Sequence, residues 1–206
     1  SLDGIGSTHD ELRGQEGAYE RTLKAIRLVR AESDIPCSVY CTVTNKNVHQ
    51  LWELYQVCQR LGVTLDFWPV NDAEDLYLKT SGDLAAWREA VAHIGAQEPE
   101  VAERAAYYEA GLRYHAGEGG PVRCLGLIDQ YGVTYSGDLL PCCVWGGDGL
   151  AVGNVFDTPL SELWHSDAVQ QSRHRMFEDG CDVGCYNHSL YEFEVATGVP
   201  FRVESR

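Results

Sequence analysis

The chain has 206 residues, 44% of them apolar and 23% charged, which excludes a disordered or fibrous polypeptide. Sixteen Lys and Arg against thirty-one Asp and Glu leave a net charge of −15, a surface that repels phosphate backbones and argues against a nucleic-acid partner. No apolar run approaches the ~20 residues of a bilayer span, and the first residues form no signal segment, so the sequence predicts a cytoplasmic protein without a membrane partner.

Residues 15–31 read as a helix, with Tyr19, Leu23 and Ile26 at helical spacing. Residues 36–44 read as a strand, because Cys37, Val39, Cys41 and Val43 alternate with Ser38, Tyr40, Thr42 and Thr44. A helical stripe of Val48, Leu51, Trp52, Tyr55 and Cys58 follows over 47–61 and stops at Gly62. A second strand spans 63–70. Strand, helix and strand with short loops predict a βαβ unit with parallel strands. Residues 83–115 read as two alanine-rich helices broken near Glu98-Pro99, and 117–121 read as a linker. Beyond it, Leu127–Tyr135 and Leu139–Cys142 read as a β-hairpin turning at Ser136-Gly137. The last predicted helix is capped by Thr158, has Pro159 at its first position and runs to about Phe177.

Eight cysteines punctuate this pattern, and five of them fall between 124 and 185. In a reducing compartment such clustering points to metal ligation more than to disulfides. Seventeen residues separate Cys124 from Cys142, thirty-eight separate Cys142 from Cys181, and three separate Cys181 from Cys185. A close pair plus two distant thiolates can offer four tetrahedral positions to zinc or to an iron–sulfur cluster, and spacing alone does not choose between them or exclude inert thiols. Cys37, Cys41 and Cys58 read instead as small buried hydrophobes on a strand face and a helix stripe. His9, His115, His165, His174 and His188 have no ligand-like spacing and read as surface or capping residues.

Two sets of residues carry a resemblance. The first is Ser1-Leu2-Asp3-Gly4, His9-Asp10-Glu11-Leu12-Arg13-Gly14 and Val43-Thr44-Asn45-Lys46-Asn47. The second is Cys124, Gly137-Asp138-Leu139-Leu140-Pro141-Cys142, Gly153-Asn154-Val155, Leu160–Trp164 and Cys181-Asp182-Val183-Gly184-Cys185. In this order they resemble radical S-adenosylmethionine (SAM) enzymes that carry a SPASM or twitch auxiliary-cluster domain. The resemblance implies an α/β fold: the C-terminal part of a partial (β/α)6 TIM-like barrel over 1–82, a helical connection over 83–118, and a small α+β SPASM/twitch domain over 119–206.

The resemblance also implies chemistry. An auxiliary [4Fe–4S] cluster would sit on Cys124, Cys142, Cys181 and Cys185, the single-cluster twitch variant suiting the cysteine number. Ser1 would lie against the SAM carboxylate or ribose, Arg13 would reach the same carboxylate or form a helix-surface salt bridge, and Asn47 would lie near the adenosine or serve a plain turn. The family's CxxxCxxC motif, which holds the SAM-cleaving cluster, does not occur in the sequence. The chain is therefore expected to be a C-terminal portion, inactive alone, with an unpaired edge on the strand at 36–44. The implied partners are a peptide or small-molecule substrate and an electron donor such as flavodoxin or ferredoxin. Cys143 stands where a proposed general base follows the cluster cysteine in sulfatase-maturating enzymes. It is a candidate hydrogen-atom donor, spare ligand or buried filler. The competing expectation is a non-catalytic module stabilised by zinc or a cluster. Trp145 and Trp164 are expected to pack near the cluster loop or, alternatively, to touch substrate.

Overall fold

The computed structural model describes residues 1–70, 73–116, 122–142, 151–180, 193–194 and 196–198. They fall in two units, 1–116 and 117–206.

The first unit opens with helix α1, Ser7–Arg13, closed by Gly14 in the left-handed conformation at φ 62°. Helix α2 follows over Ala18–Glu32. The single helix expected at 15–31 thus starts three residues later, and α1 was not anticipated. The reason is a side chain rather than periodicity. The Asp10 carboxylate of α1 accepts the backbone N–H groups of Gly17 at 2.7 Å and Tyr19 at 2.8 Å, capping α2 from the preceding helix. Those bonds hold the Asp10 carboxyl below its ordinary acidity range, Tyr19 contributing most.

Strand β1 spans Ser38–Val43 and β2 spans Thr64–Pro69, joined through helix α3, Leu51–Leu61. The strands pair in parallel, with Val39 opposite Leu65 and Cys41 opposite Phe67. This is the βαβ unit that the sequence predicts. Val39, Cys41, Val43, Leu65 and Phe67 are buried, as is Cys58 from α3, so Cys41 and Cys58 act as core residues. Burial pushes the Cys58 thiol up to about 11, and pushes Cys41 up as well. The expected open edge of β1 is covered in part by the chain's own first residues. Leu2 N–H donates to the Tyr40 carbonyl at 2.9 Å, and Asp3 Oδ1 accepts Thr42 N–H at 2.9 Å.

The segment after β2 forms three helices where two were expected: α4 Ser81–Gly95, α5 Pro99–Glu103 and α6 Ala105–His115. A reciprocal capping box between Thr80 and Asp83 starts α4. These helices belong to the first unit. The Phe67, Trp87 and Tyr108 rings from β2, α4 and α6 pack on one another at centroid distances of 5.2 to 5.8 Å.

In the second unit the expected hairpin is present but short, with β3 Gly132–Val133 antiparallel to β4 Leu139–Leu140. Residues 125–130 turn instead of extending: Leu127 takes φ 61°, and its N–H donates to the Gln130 carbonyl at 2.7 Å. A third segment lies along β4, where Leu139 N–H donates to the Gly153 carbonyl and Val152 N–H to the Leu139 carbonyl. Gly137 sits at φ 88°, where an added Cβ would meet Asn154 Oδ1 at 2.6 Å. Asn154 closes the turn by donating to the Asp138 carboxylate at 2.9 Å and the Ser136 carbonyl at 2.8 Å. The helix expected from 158 to 177 is broken. Helix α7 is Leu160–Leu163, and α8, Asp167–His174, restarts because Ser166 Oγ caps it by accepting Val169 N–H. A π turn over Arg175–Asp179 follows. Leu127, Leu139, Leu163 and Val169 form one core cluster; Val122, Cys124, Leu125 and Met176 form another. Among the described residues no helix is long and apolar enough to cross a membrane.

Candidate functional site

In parallel α/β structures ligands gather at the carboxyl ends of the strands. That end of β1 is built around Asp3. Arg13 Nη2 lies 2.5 Å from Asp3 Oδ2, and the buried Asn47 side chain donates to the Asp3 carbonyl at 2.7 Å and to the Thr42 carbonyl at 2.9 Å. Asn47 Oδ1 accepts Thr44 N–H at 2.7 Å. Of the sequence-predicted residues, Arg13 and Asn47 are thereby both brought to Asp3, two residues after Ser1, but the three differ in what they can still do. Ser1 is exposed and Arg13 is 41% exposed. The Asn47 side chain is 2% exposed as a residue and is occupied in stapling β1 to the N-terminal segment.

Two residues that sequence reasoning missed complete this end. His9 is buried, and its Nδ1 accepts Asp3 N–H at 2.9 Å. His115 is buried at the end of α6. Its Nδ1 accepts Leu78 N–H at 3.1 Å, its Nε2 lies 2.5 Å from the Val70 carbonyl, and its ring stacks on Tyr77. The expectation that these histidines are surface or capping residues is overturned. Their lack of ligand-like spacing excluded a metal role but said nothing about burial. His9 stands six residues after Asp3 within the same motif, which is the signal that could have found it.

Burial lowers the pKa of both imidazoles below 6.5. A base with a depressed folded pKa binds its proton more readily when unfolded. The stability it permits is therefore full above the unfolded value near 6.5 and is lost as pH falls below it. Urea midpoints should drop between pH 7.5 and 5, above the range in which Asp10 and Asp138 protonate. The drop should shrink in a His9→Gln, His115→Gln double variant. A flat midpoint over this interval would contradict the assignment.

In the second unit, the Cys124 N–H donates to the Met176 carbonyl at 3.0 Å. Its sulfur is buried and accepts the Gly126 N–H at 3.3 Å. Gly126 has no room for a side chain: an added Cβ would lie 2.7 Å from the Pro141 carbonyl and 3.4 Å from Cys124 Sγ. The close approach brings the Cys124 turn against the residue preceding Cys142, which is also buried. Cys143, Trp145, Cys181, Cys185 and His188 lie outside the described residues, as does the expected linker at 117–121. Among the described residues no three His, Cys, Asp or Glu side chains gather as a metal site. Trp164 packs edge-on to Tyr131 with a ring separation of 5.4 Å, and the Arg173 guanidinium lies 4.3 Å from its centroid. Arg173 Nε also holds the Leu127 carbonyl at 2.6 Å, supporting the left-handed residue.

Residues 124–186 match the SPASM family, an iron–sulfur cluster-binding domain. The chain is 26% identical over 203 residues to an AdoMet-dependent heme synthase of Nitratidesulfovibrio vulgaris, covering 84% of this chain and 52% of that protein. It is 29% identical over 195 residues to the pre-heme d1 synthase of Dinoroseobacter shibae, covering 80% and 47%. It is 31% identical over 62 residues to the sporulation killing factor maturation protein SkfB of Bacillus subtilis, covering 30% and 15%. The second unit carries a SPASM domain, and the chain resembles radical SAM enzymes that possess one. The chain spans about half the length of the first two relatives.

Proposed function

We propose that this chain is the auxiliary-cluster-bearing portion of a radical SAM enzyme, with a [4Fe–4S] cluster held by Cys124, Cys142, Cys181 and Cys185. The observation that carries this is Cys124: a buried sulfur that accepts a backbone N–H, inside a segment matching an iron–sulfur domain. N–H donors aimed at sulfur suit a thiolate ligand and tune a cluster's potential. When bound, the cluster supplies one-electron chemistry. The chain's own residues hold the sulfurs in place and exclude water through Val122, Leu125 and Met176. A non-catalytic zinc module is the competing reading. Chemistry favours the cluster, because the matched family is an iron–sulfur one.

Exposed Ser1 fits a ribose or carboxylate partner such as SAM, and Arg13 would reach that carboxylate only by sharing its guanidinium with Asp3, to which it is ion-paired, whereas Asn47 fits the structural half of its expected role. The partial (β/α)6 barrel around β1 and β2, a cytoplasmic location and a flavodoxin- or ferredoxin-type donor complete the proposal. Cys143 would give its S–H hydrogen atom to a substrate carbon radical, a C–H bond replacing the S–H bond, and the thiyl radical left behind would return to the thiol with one electron from that donor and a proton from water. A small-molecule substrate of the heme type is favoured over a peptide, because the likeness to the heme and heme d1 synthases runs through most of the chain, while that to SkfB covers 30% of it.

The test is anaerobic reconstitution of the chain followed by metal analysis and EPR. About four iron and four sulfide per chain, with a reducible EPR-active centre, are expected. A colourless protein with stoichiometric zinc would replace this reading by the module.

A further inference from the structure

Arg123 stands immediately before the first cluster cysteine and just outside the segment that matches the family model. Its Nη1 donates to the Phe177 carbonyl at 3.1 Å, and its guanidinium lies 5.3 Å from the centre of the Phe177 ring. Cys124 N–H takes the neighbouring Met176 carbonyl, so 123–124 and 176–177 are joined at consecutive positions. Phe177 in turn packs on the cluster of Val122, Cys124, Leu125 and Met176. Glu178, the carboxylate near Arg123, is 3.9 Å from Nη1, beyond hydrogen-bond distance.

One atom remains unexplained. Arg123 Nε is buried and has no hydrogen-bond partner, alone among the buried side-chain nitrogen and oxygen atoms of the described residues. Native structures rarely leave such a donor unmet, and a bound ion or group is among the usual reasons. Apolar Phe177 and Phe193 surround this region, and Cys181 follows Phe177 by four residues. A [4Fe–4S] cluster on four thiolates carries net negative charge and accepts N–H donors at its sulfurs. Resting on the cluster assignment above, we propose that Arg123 is a positioning residue for the auxiliary cluster. Its Nη1 fixes the Phe177 carbonyl ahead of Cys181, and its Nε–H donates to a sulfur of the cluster. A cation donating there favours the more negative, reduced state, so Arg123 raises the cluster's reduction potential.

The experiment uses the 206-residue chain, reconstituted anaerobically. The chain lacks a CxxxCxxC motif that would add a second cluster signal. With arginine labelled with nitrogen-15, pulsed EPR of the reduced wild-type protein should show a nitrogen-15 hyperfine coupling. That coupling should vanish in Arg123→Gln and Arg123→Lys. Arg123→Gln should titrate at a more negative potential, with Arg123→Lys between it and the wild type. A loaded wild-type cluster without an arginine coupling would overturn the proposal, as would an unchanged potential in a fully loaded Arg123→Gln protein. If both variants lose the cluster, the wild-type coupling alone decides. A wild-type chain that takes up no iron at all fails at the cluster assignment, and this inference falls with it.

Discussion

Replacing Cys124 with Ala should strip most of the iron from the reconstituted chain and unfold much of the second unit, and Cys142→Ala should do the same. The expected size follows from metal binding being part of folding where thiolate ligands come from segments far apart in the chain. Among the described residues of this unit the regular strands are two residues long, and the buried apolar residues named in its clusters, four in each, include Cys124 itself. The contrast is with the first unit. Cys41→Ala and Cys58→Ala remove a buried sulfur from an ordinary packed core, should cost about 1–2 kcal/mol each, and should leave iron uptake untouched. Iron and sulfide analysis, with hydrogen exchange over 117–206, reads both arms. Full iron content in Cys124→Ala would remove that residue from the ligand set.

Sequence periodicity was enough to find the βαβ unit, because one face of β1 is buried and α3 carries one apolar stripe. It was not enough to place helix ends. The break between α7 and α8 depends on Ser166 acting as a cap, and the start of α2 depends on Asp10 reaching across seven and nine residues. Neither event alters the spacing of apolar residues. The site was legible in the same uneven way. The motif that contains Asp3, His9 and Arg13 could be quoted from the sequence, yet its internal wiring could not. The ion pair, the imidazole acceptor and the Asn47 staple join residues 6 to 44 positions apart. Buried His115 was invisible for a similar reason, since its partners Val70 and Leu78 lie in a loop that only the folded chain brings to α6.

Asn47→Ala should be among the most destabilising single changes in the first unit. Removing the amide leaves the Thr44 N–H, the Thr42 carbonyl and the Asp3 carbonyl without their Asn47 partner, all at the buried end of β1. At about 1–3 kcal/mol for each unmet buried group, and with partial relaxation, the loss should be about 3–5 kcal/mol, much of a typical domain's stability. Asn47→Asp is a sharper probe. It keeps the acceptor for Thr44 N–H, loses both donations, and places a carboxylate beside the Asp3 carbonyl. Its stability should recover partly as pH falls and the new carboxyl protonates, opposite to the histidine effect. Asp3→Asn separates fold from ligand. Its Oδ1 can still accept Thr42 N–H, and the ion pair it breaks involves a half-exposed Arg13, so stability should fall by only about 1 kcal/mol or less. Urea unfolding of the three variants reads the order Asp3→Asn, then Asn47→Ala and Asn47→Asp. If Asn47→Ala unfolds at the wild-type midpoint, the staple is not what holds β1 to the first residues. Asn47 would then return to the ligand-facing role beside Ser1 and Arg13.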